Sequence, residues 1–329
     1  MTKKKLAVFC ICLLILFCAT IFAIGMGSIK ISFTATLRSL LDSRALTDTE
    51  WEIVHNIRLP RVFLALLTGA ALAVAGSLLQ AVMQNPLADP GIIGVSAGAS
   101  LSIMFVLILF PVYASYLPLI AFCGGILATI CVYMLSWKDG INSLRLLLAG
   151  IAVNAMLGGA SSLISVLNSE KIQGVVLWLN GTLNGRTWAD LRIFSAYILL
   201  GLILSLFCIR DANFLLLGDE KASNLGLNVH RSRILLSLLG AYLAGVCTSA
   251  VGIIGFVGLV VPHIARLLVG SDYKYLLPLS MLGGATFLLL TDTLARTLVA
   301  PVELPVGTIM AVIGGPFFLY LLRRSRNHG

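Results

Sequence analysis

Residues 234–269 read ILLSLLGAYLAGVCTSAVGIIGFVGLVVPHIARLLV, and how often this stretch crosses a membrane decides the topology of the chain. Residues 234–262 carry no charge and hold Gly240, Gly245, Gly252, Gly255 and Gly258. A helix needs about 20 apolar residues to span a bilayer core, so the stretch is long for one crossing and short for two. It reads either as one helix plus a re-entrant segment or as two helices joined by a tight turn. The positive-inside rule arbitrates. Lys3, Lys4 and Lys5 at one end and Arg323, Arg324 and Arg326 at the other place both termini on the cytoplasmic side. That requires an even number of crossings, so 256–269 is expected to cross as a short helix.

The rest of the chain supplies the other crossings. Residues 6–26 form an uncharged run longer than the roughly 7–15-residue core of a signal peptide, and are expected to stay as the first span. Further apolar runs cover about 62–83, 92–110, 117–136, 146–167, 193–209, 234–254, 276–295 and 305–322. The expected fold is all-α: ten transmembrane helices in one membrane domain, residues 1–329. The loops 136–145 (Lys138, Arg145) and 210–233 (Arg210, Lys221, Arg231, Arg233) then lie inside. Loops 27–61 and 168–192 lie outside, yet carry Lys30, Arg38, Arg44, Arg58, Arg61, Lys171, Arg186 and Arg192 against the rule.

Composition excludes other classes. Only 11% of the 329 residues are charged and 59% are apolar, where a soluble domain carries about 25% charge. Mean hydropathy is +1.00. A soluble enzyme is ruled out first. The net charge of +9 does not indicate nucleic acid, because the basic residues sit in short loops and at the termini. The seven cysteines fall inside expected spans with no metal-ligand spacing, so neither a metal site nor a disulfide framework is expected. Trp51, Trp137, Trp178 and Trp188 fall in loops or near span ends, as interfacial anchors do. Asn180-Gly181-Thr182 matches a glycosylation sequon, a pattern short enough to arise by chance. There is no Gly-Lys dipeptide of a phosphate-binding loop, no nucleophile motif and no zinc-protease helix. No cofactor is expected, and if ATP is used another chain hydrolyses it.

A weak internal repeat runs through the spans. Arg61 leads into one leucine-rich span and Arg233 into another; Gly150 with Gly158-Gly159 is echoed by Gly307 with Gly314-Gly315. Five crossings separate the matched elements, so spans 2–5 and 7–10 would be inverted repeats, as in many transporters. Glycine pairs for close helix packing are the alternative.

Several polar groups ask for a reason. Asn85-Pro86-Leu87-Ala88-Asp89-Pro90 forms a stiff inner turn, either a rigid loop or a constriction at an inner mouth. Asp292 and Arg296 share one helix face four residues apart and are expected to pair, unless Arg296 presents its charge outward. Arg58-Leu59-Pro60-Arg61 puts two arginines on the outer surface, where they suit an acidic partner or a solvated helix cap. Residues 218–226 read as a short cytoplasmic helix with acids at its N-terminus and Gly226 as its stop. Ala222 and Leu225 share an apolar face that would dock a soluble partner or pack back on the spans.

With those blocks in view, the chain resembles the FecCD-type permease subunits of ABC importers for iron–siderophores, haem and vitamin B12. The resemblance rests on Arg58-Leu-Pro-Arg61, Asn85-Pro-Leu-Ala-Asp-Pro90 with Gly94 and Gly98, Leu147-Leu-Ala-Gly150, and Trp178 before Gly181. It continues through Leu217-Gly-Asp-Glu220, Leu225-Gly226, Gly255-Phe-Val-Gly-Leu259, Pro262-His263, Arg266, Asp292, Ala295-Arg296, Pro301, Glu303, Pro305, Gly307 and Gly314-Gly-Pro316. The blocks run in family order over almost the whole chain. A departure is Asn180, where such permeases often have Gly or Met before Gly181.

The resemblance implies a multi-pass protein of a bacterial cytoplasmic membrane, with ten spans, both termini inside and no active site of its own. It implies a second permease subunit, identical or related, two cytoplasmic ATP-binding subunits and an extracytoplasmic substrate-binding protein. Arg58, Arg61 and Arg296 would meet acids of that binding protein. Asn85, Leu87, Ser143 and Leu144 would line the cytoplasmic gate, and Gly218, Asp219, Glu220, Ala222, Leu225 and Gly226 would belong to the ATPase contact. A ferric siderophore is the expected cargo, with haem or vitamin B12 as alternatives. An ion-gradient-driven secondary transporter is the competing class; it would need ionisable residues near the midplane, and Asp292 is its one candidate.

Overall fold

The computed structural model describes residues 3–27, 47–138 and 142–325. Lys30, Arg38, Arg44 and Arg326 lie outside the described residues. Every regular element among the described residues is helical. In chain order they are α1 (Lys3–Gly25), α2 (Asp48–Glu52), α3 (Leu59–Val82), α4 (Val95–Leu109) and α5 (Leu117–Ser136). Then come α6 (Ser143–Leu167), α7 (Ile172–Leu179), α8 (Trp188–Phe207), α9 (Ile209–Leu215) and α10 (Asp219–Asn224). The last four are α11 (Val229–Val251), α12 (Val257–Val269), α13 (Tyr273–Thr297) and α14 (Val306–Ser325). A π-helical turn, Ile53–Arg58, carries α2 into α3.

Among the described residues, seven helical stretches are long and apolar enough to cross a membrane, and α4, α12 and the Val306–Leu319 part of α14 are shorter apolar helices. The deciding stretch 234–269 is two helices, as expected. It breaks at Gly252, whose φ of +79° turns the chain out of α11. Phe256, at φ +67°, restarts it as α12. The added helices α2 and α7 fall in the loops expected outside.

α3 is the centre of the bundle. It is apolar on all sides, as a fully surrounded helix must be, and small residues let neighbouring backbones come close. A Cβ on Gly69 would lie 2.2 Å from the Gly284 carbonyl oxygen of α13, and one on Gly76 would lie 1.9 Å from the Gly258 carbonyl oxygen of α12. Gly98 and Gly124 bring α4 and α5 together in the same way. Backbone cannot give way as a flexible side chain can, so Gly76→Val is expected to cost about 3 kcal/mol, the upper end for overpacking. Thermal unfolding in detergent should show it as a clear fall in Tm.

The helix α1 belongs to the bundle. Its inner end meets α13 where Lys5 Nζ sits 4.0 Å from the Tyr275 ring centroid. The lipid-facing side is rich in exposed leucine, isoleucine and phenylalanine, among them Leu13, Leu14 and Phe17.

The repeat is legible in the geometry. In each half the second helix is short and starts from a left-handed residue, Gly94 before α4 and Phe256 before α12. In each half a glycine of the last helix presses on the backbone just before that short helix. A Cβ on Gly150 would meet the Ile92 carbonyl oxygen at 2.0 Å, and one on Gly307 would meet that of Ile253 at 2.8 Å. Discontinuous helices in matching positions of two halves are the mark of inverted-repeat transporters. The second glycine pair behaves less symmetrically: Gly314 packs on the Phe256 ring, whereas a Cβ on Gly158 or Gly159 would meet none of the described residues within 4 Å.

Candidate functional site

Three clusters carry the expected functional residues, one at the outer end of the bundle and two at the inner end. The outer cluster is an ion-pair network between α3, α13 and the segment before α14. Arg61 donates to Asp292 through Nε (3.0 and 3.2 Å) and Nη2 (2.9 Å), and to Glu303 Oε2 through Nη1 (2.7 Å). The expected Asp292–Arg296 pair is the looser one, at 3.9 Å. Asp292 is fully buried, and Arg61 is 5% exposed. A bidentate guanidinium–carboxylate pair is the geometry that best compensates for such burial.

Arg58 and Arg296 do something else: they cap α1. Arg58 Nη1 donates to the carbonyls of Ile24 (2.6 Å) and Gly25 (3.0 Å). Arg296 Nη2 donates to the Ala23 carbonyl. The last carbonyls of a helix lack intrahelical partners and carry its negative dipole end, so cations are favoured there. Their exposure is a correction to the sequence reading. Arg58 and Arg61 are expected on the open outer surface, but they are only 4% and 5% exposed, and Arg296 is 3% exposed. Trp188 Nε1 donates to the His55 carbonyl at 2.7 Å and so fixes the start of α8 against the same π turn.

The first inner cluster is the turn 85–90. Asn85 Oδ1 accepts from Leu87 N (2.9 Å), and Asp89 Oδ1 accepts from Gly91 N (2.8 Å). With Pro86 and Pro90 these side-chain turns leave little freedom. Gln80 Nε2 donates to the Gly258 carbonyl at 3.3 Å while its Oε1 accepts from Arg266 Nη2 at 3.1 Å. Gln80 Nε2 also reaches the Ala88 carbonyl at 3.5 Å, so this one side chain ties the turn to α12. Asn154 of α6 donates to the carbonyls of Gly91 and Ile92. Ser143 and Leu144 begin α6, where the Asn142 side chain caps the Leu144 N–H at 2.9 Å. Among the described residues neither hydrogen-bonds to Asn85–Leu87.

The second inner cluster surrounds α10. Gly218 (φ +90°) and Gly226 (φ +84°) bound it, as the sequence leads one to expect. Asp219 accepts two bonds from Arg233, at 2.7 and 2.8 Å, and one from Gln84 Nε2 at 2.9 Å. The apolar face expected for Ala222 and Leu225 is split. Ala222 is fully buried against the bundle, and Leu225 is 55% exposed. Glu220 is exposed beside it.

The arginines that open the two repeats thus have parallel duties. Arg61 clamps an aspartate at the outer end and Arg233 clamps one at the inner end. Sequence reasoning missed Gln84 and the pairing of Arg233, and placed Glu303 only as a matching block. Two inward-facing arginines at equivalent positions of an inverted repeat were the available signal. Among the described residues no three His, Cys, Asp or Glu side chains gather as a metal site, and all seven cysteines are free.

The chain as a whole resembles known proteins. The sequence model of the FecCD transport family matches residues 12–324. The chain is 44% identical to the hemin transport system permease protein HmuU of Yersinia pestis, over 92% of this chain and 91% of that one. It is 40% identical to the Fe(3+)-citrate import system permease protein YfmE of Bacillus subtilis, over 98% and 96%. Among solved structures it resembles an inward-facing metal-chelate type ABC transporter with a TM-score of 0.83 and 29% identity, over 97% of this chain and 99% of that one.

Proposed function

The chain belongs to the FecCD transport family and is a permease subunit of an ABC importer in the cytoplasmic membrane; on that premise we propose that it passes an iron(III) chelate inward, with a ferric siderophore as cargo. The likeness to permeases of iron-importing systems over nearly its whole length carries this reading. Haem is the second reading, favoured by the 44% identity to a hemin permease.

The proposed assembly is one permease domain, residues 1–329, with ten crossings and both ends inside, paired with a second permease copy or a related chain. Two ATP-binding subunits sit below, and an extracytoplasmic binding protein delivers cargo above. Arg58, Arg61 and Arg296 are the outer docking cluster. In the lone chain Arg58 and Arg296 hold α1 carbonyls, so carboxylates of a docking partner must take their place or join them. ATP-driven closure below moves α10, and the turn 85–90 with the start of α6 opens or shuts the inner mouth. Asp292 is committed to Arg61, which leaves it poorly suited to carry protons in a gradient-driven carrier.

The test is transport by the purified importer in liposomes. Uptake of radiolabelled iron(III) citrate or of haemin should require ATP, the ATPase partner and the binding protein, and should stop with vanadate. Uptake by the permease alone on an ion gradient would overturn the proposal. The ratio of the two uptake rates decides between the cargo readings.

A further inference from the structure

Gln84 occupies a position that normally belongs to glycine. It follows the last turn of α3, and two backbone bonds close the chain over that turn: Asn85 N to the Gln80 carbonyl (3.1 Å) and Gln84 N to the Ala81 carbonyl (3.2 Å). This is the Schellman arrangement, whose penultimate residue takes a left-handed conformation and is usually Gly. Gln84 takes it with φ +50°. A side chain kept where glycine fits better needs a reason.

The side chain supplies one. Gln84 Nε2 donates to the Leu215 carbonyl at 3.0 Å and to Asp219 Oδ1 at 2.9 Å. Leu215 is the last residue of α9 and Asp219 the first of α10. The Asp219 carboxylate is held from the other side by the buried guanidinium of Arg233, in the first turns of α11. One carboxylate thus joins the cytoplasmic helix to the inner ends of α3 and α11. The next residue after Gln84 is Asn85, the start of the stiff turn 85–90.

We infer that Gln84 is a positioning residue that passes displacement of α10 directly to the inner turn 85–90, through Asp219. The inference rests on the proposed role of α10 as the ATPase contact and adds the route from there to the gate. It gives Asp219 a second duty: the side chain is half exposed, but both carboxylate oxygens are bonded within the chain, and Glu220 and Leu225 are the exposed neighbours that face the ATPase. A short link suffices because both of its ends are stiff. α10 is seated by buried Ala222, and the turn is braced by Pro86, Pro90 and the Asn85 and Asp89 side-chain bonds.

The experiment measures ATP hydrolysis and uptake of radiolabelled iron(III) citrate, with haemin in parallel, in the complete importer in liposomes. Gln84→Gly removes the side chain and eases the backbone, so the protein should fold with an unchanged or higher Tm. We expect its cargo moved per ATP to fall about tenfold, the scale of one lost hydrogen bond to a charged group, with the hydrolysis rate near that of the native importer. Gln84→Lys offers an ammonium to the same two acceptors and should recover most of the coupling. Gln84→Gly added to Asp219→Asn should do no further harm, because residues of one path are not additive. An unchanged cargo-to-ATP ratio in Gln84→Gly, with the native importer sensitive to change at Leu225, overturns the link alone. A native importer insensitive to change at both Glu220 and Leu225 overturns the reading of α10, and the link falls with it.

Discussion

Asp292→Ala is expected to cost the folded permease about 3–5 kcal/mol, the usual penalty for leaving one half of a buried ion pair alone. The carboxylate accepts three bonds from Arg61 and lies near Arg296. Without it two buried guanidinium groups face each other across the outer ends of α3 and α13, with Glu303 as the remaining acid. Glu303 is partly exposed and can satisfy one of them at most. Thermal unfolding in detergent should register the loss directly. The double change Arg61→Met with Asp292→Leu should recover most of it, since apolar side chains of similar volume replace a buried pair at little cost. A Tm within a degree or two of native for Asp292→Ala would show that the pair carries no structural load. The double variant also separates structure from docking. If Arg61 contacts the binding protein, the variant stays folded but binds that protein more weakly.

The seven long apolar helices were legible because hydropathy over 20 residues is a summed signal, insensitive to any one neighbour. The break near Gly252 was legible too, since glycine is what allows a chain to leave a helix and re-enter it within a few residues. The ion pairs were not. Arg61 and Asp292 lie 231 positions apart, and a sequence read alone offers Asp292 only its i+4 neighbour. Burial of Arg58 escaped for a related reason: its partners are main-chain carbonyls at the end of α1, which leave no mark in side-chain composition. The split of Ala222 from Leu225 shows the limit of periodicity in a six-residue helix. One and a half turns define no stable apolar face, so the tertiary seat decides which residue turns inward. Gln84 reads in sequence only as the residue before Asn85-Pro86. Its meaning appears when α9 and α10 are brought beside it.

Leu225→Asp is expected to weaken association with the ATPase partner by about 10–100-fold, without loss of fold. Leu225 projects from the C-terminal end of α10 at 55% exposure, and Leu216 and Leu217 are exposed on the same cytoplasmic segment. Burying one leucine side chain contributes about 1.5–3 kcal/mol, which converts to that change in Kd; a carboxylate in the same apolar contact adds a desolvation cost. The permease in nanodiscs, titrated with the ATPase, reads the affinity. Its unfolding temperature should stay near native because the side chain is more than half exposed. Ala222→Leu should reverse the pattern. Its Cβ lies fully buried under α10, so a larger side chain lifts the helix from its seat and lowers Tm before it alters any outward surface. Equal loss of Tm in both variants would place Leu225 inside the fold and remove it from the ATPase contact. Loss of affinity confined to Leu225→Asp would leave α10 with an inner face that holds it to the bundle and an outer face that receives the ATPase.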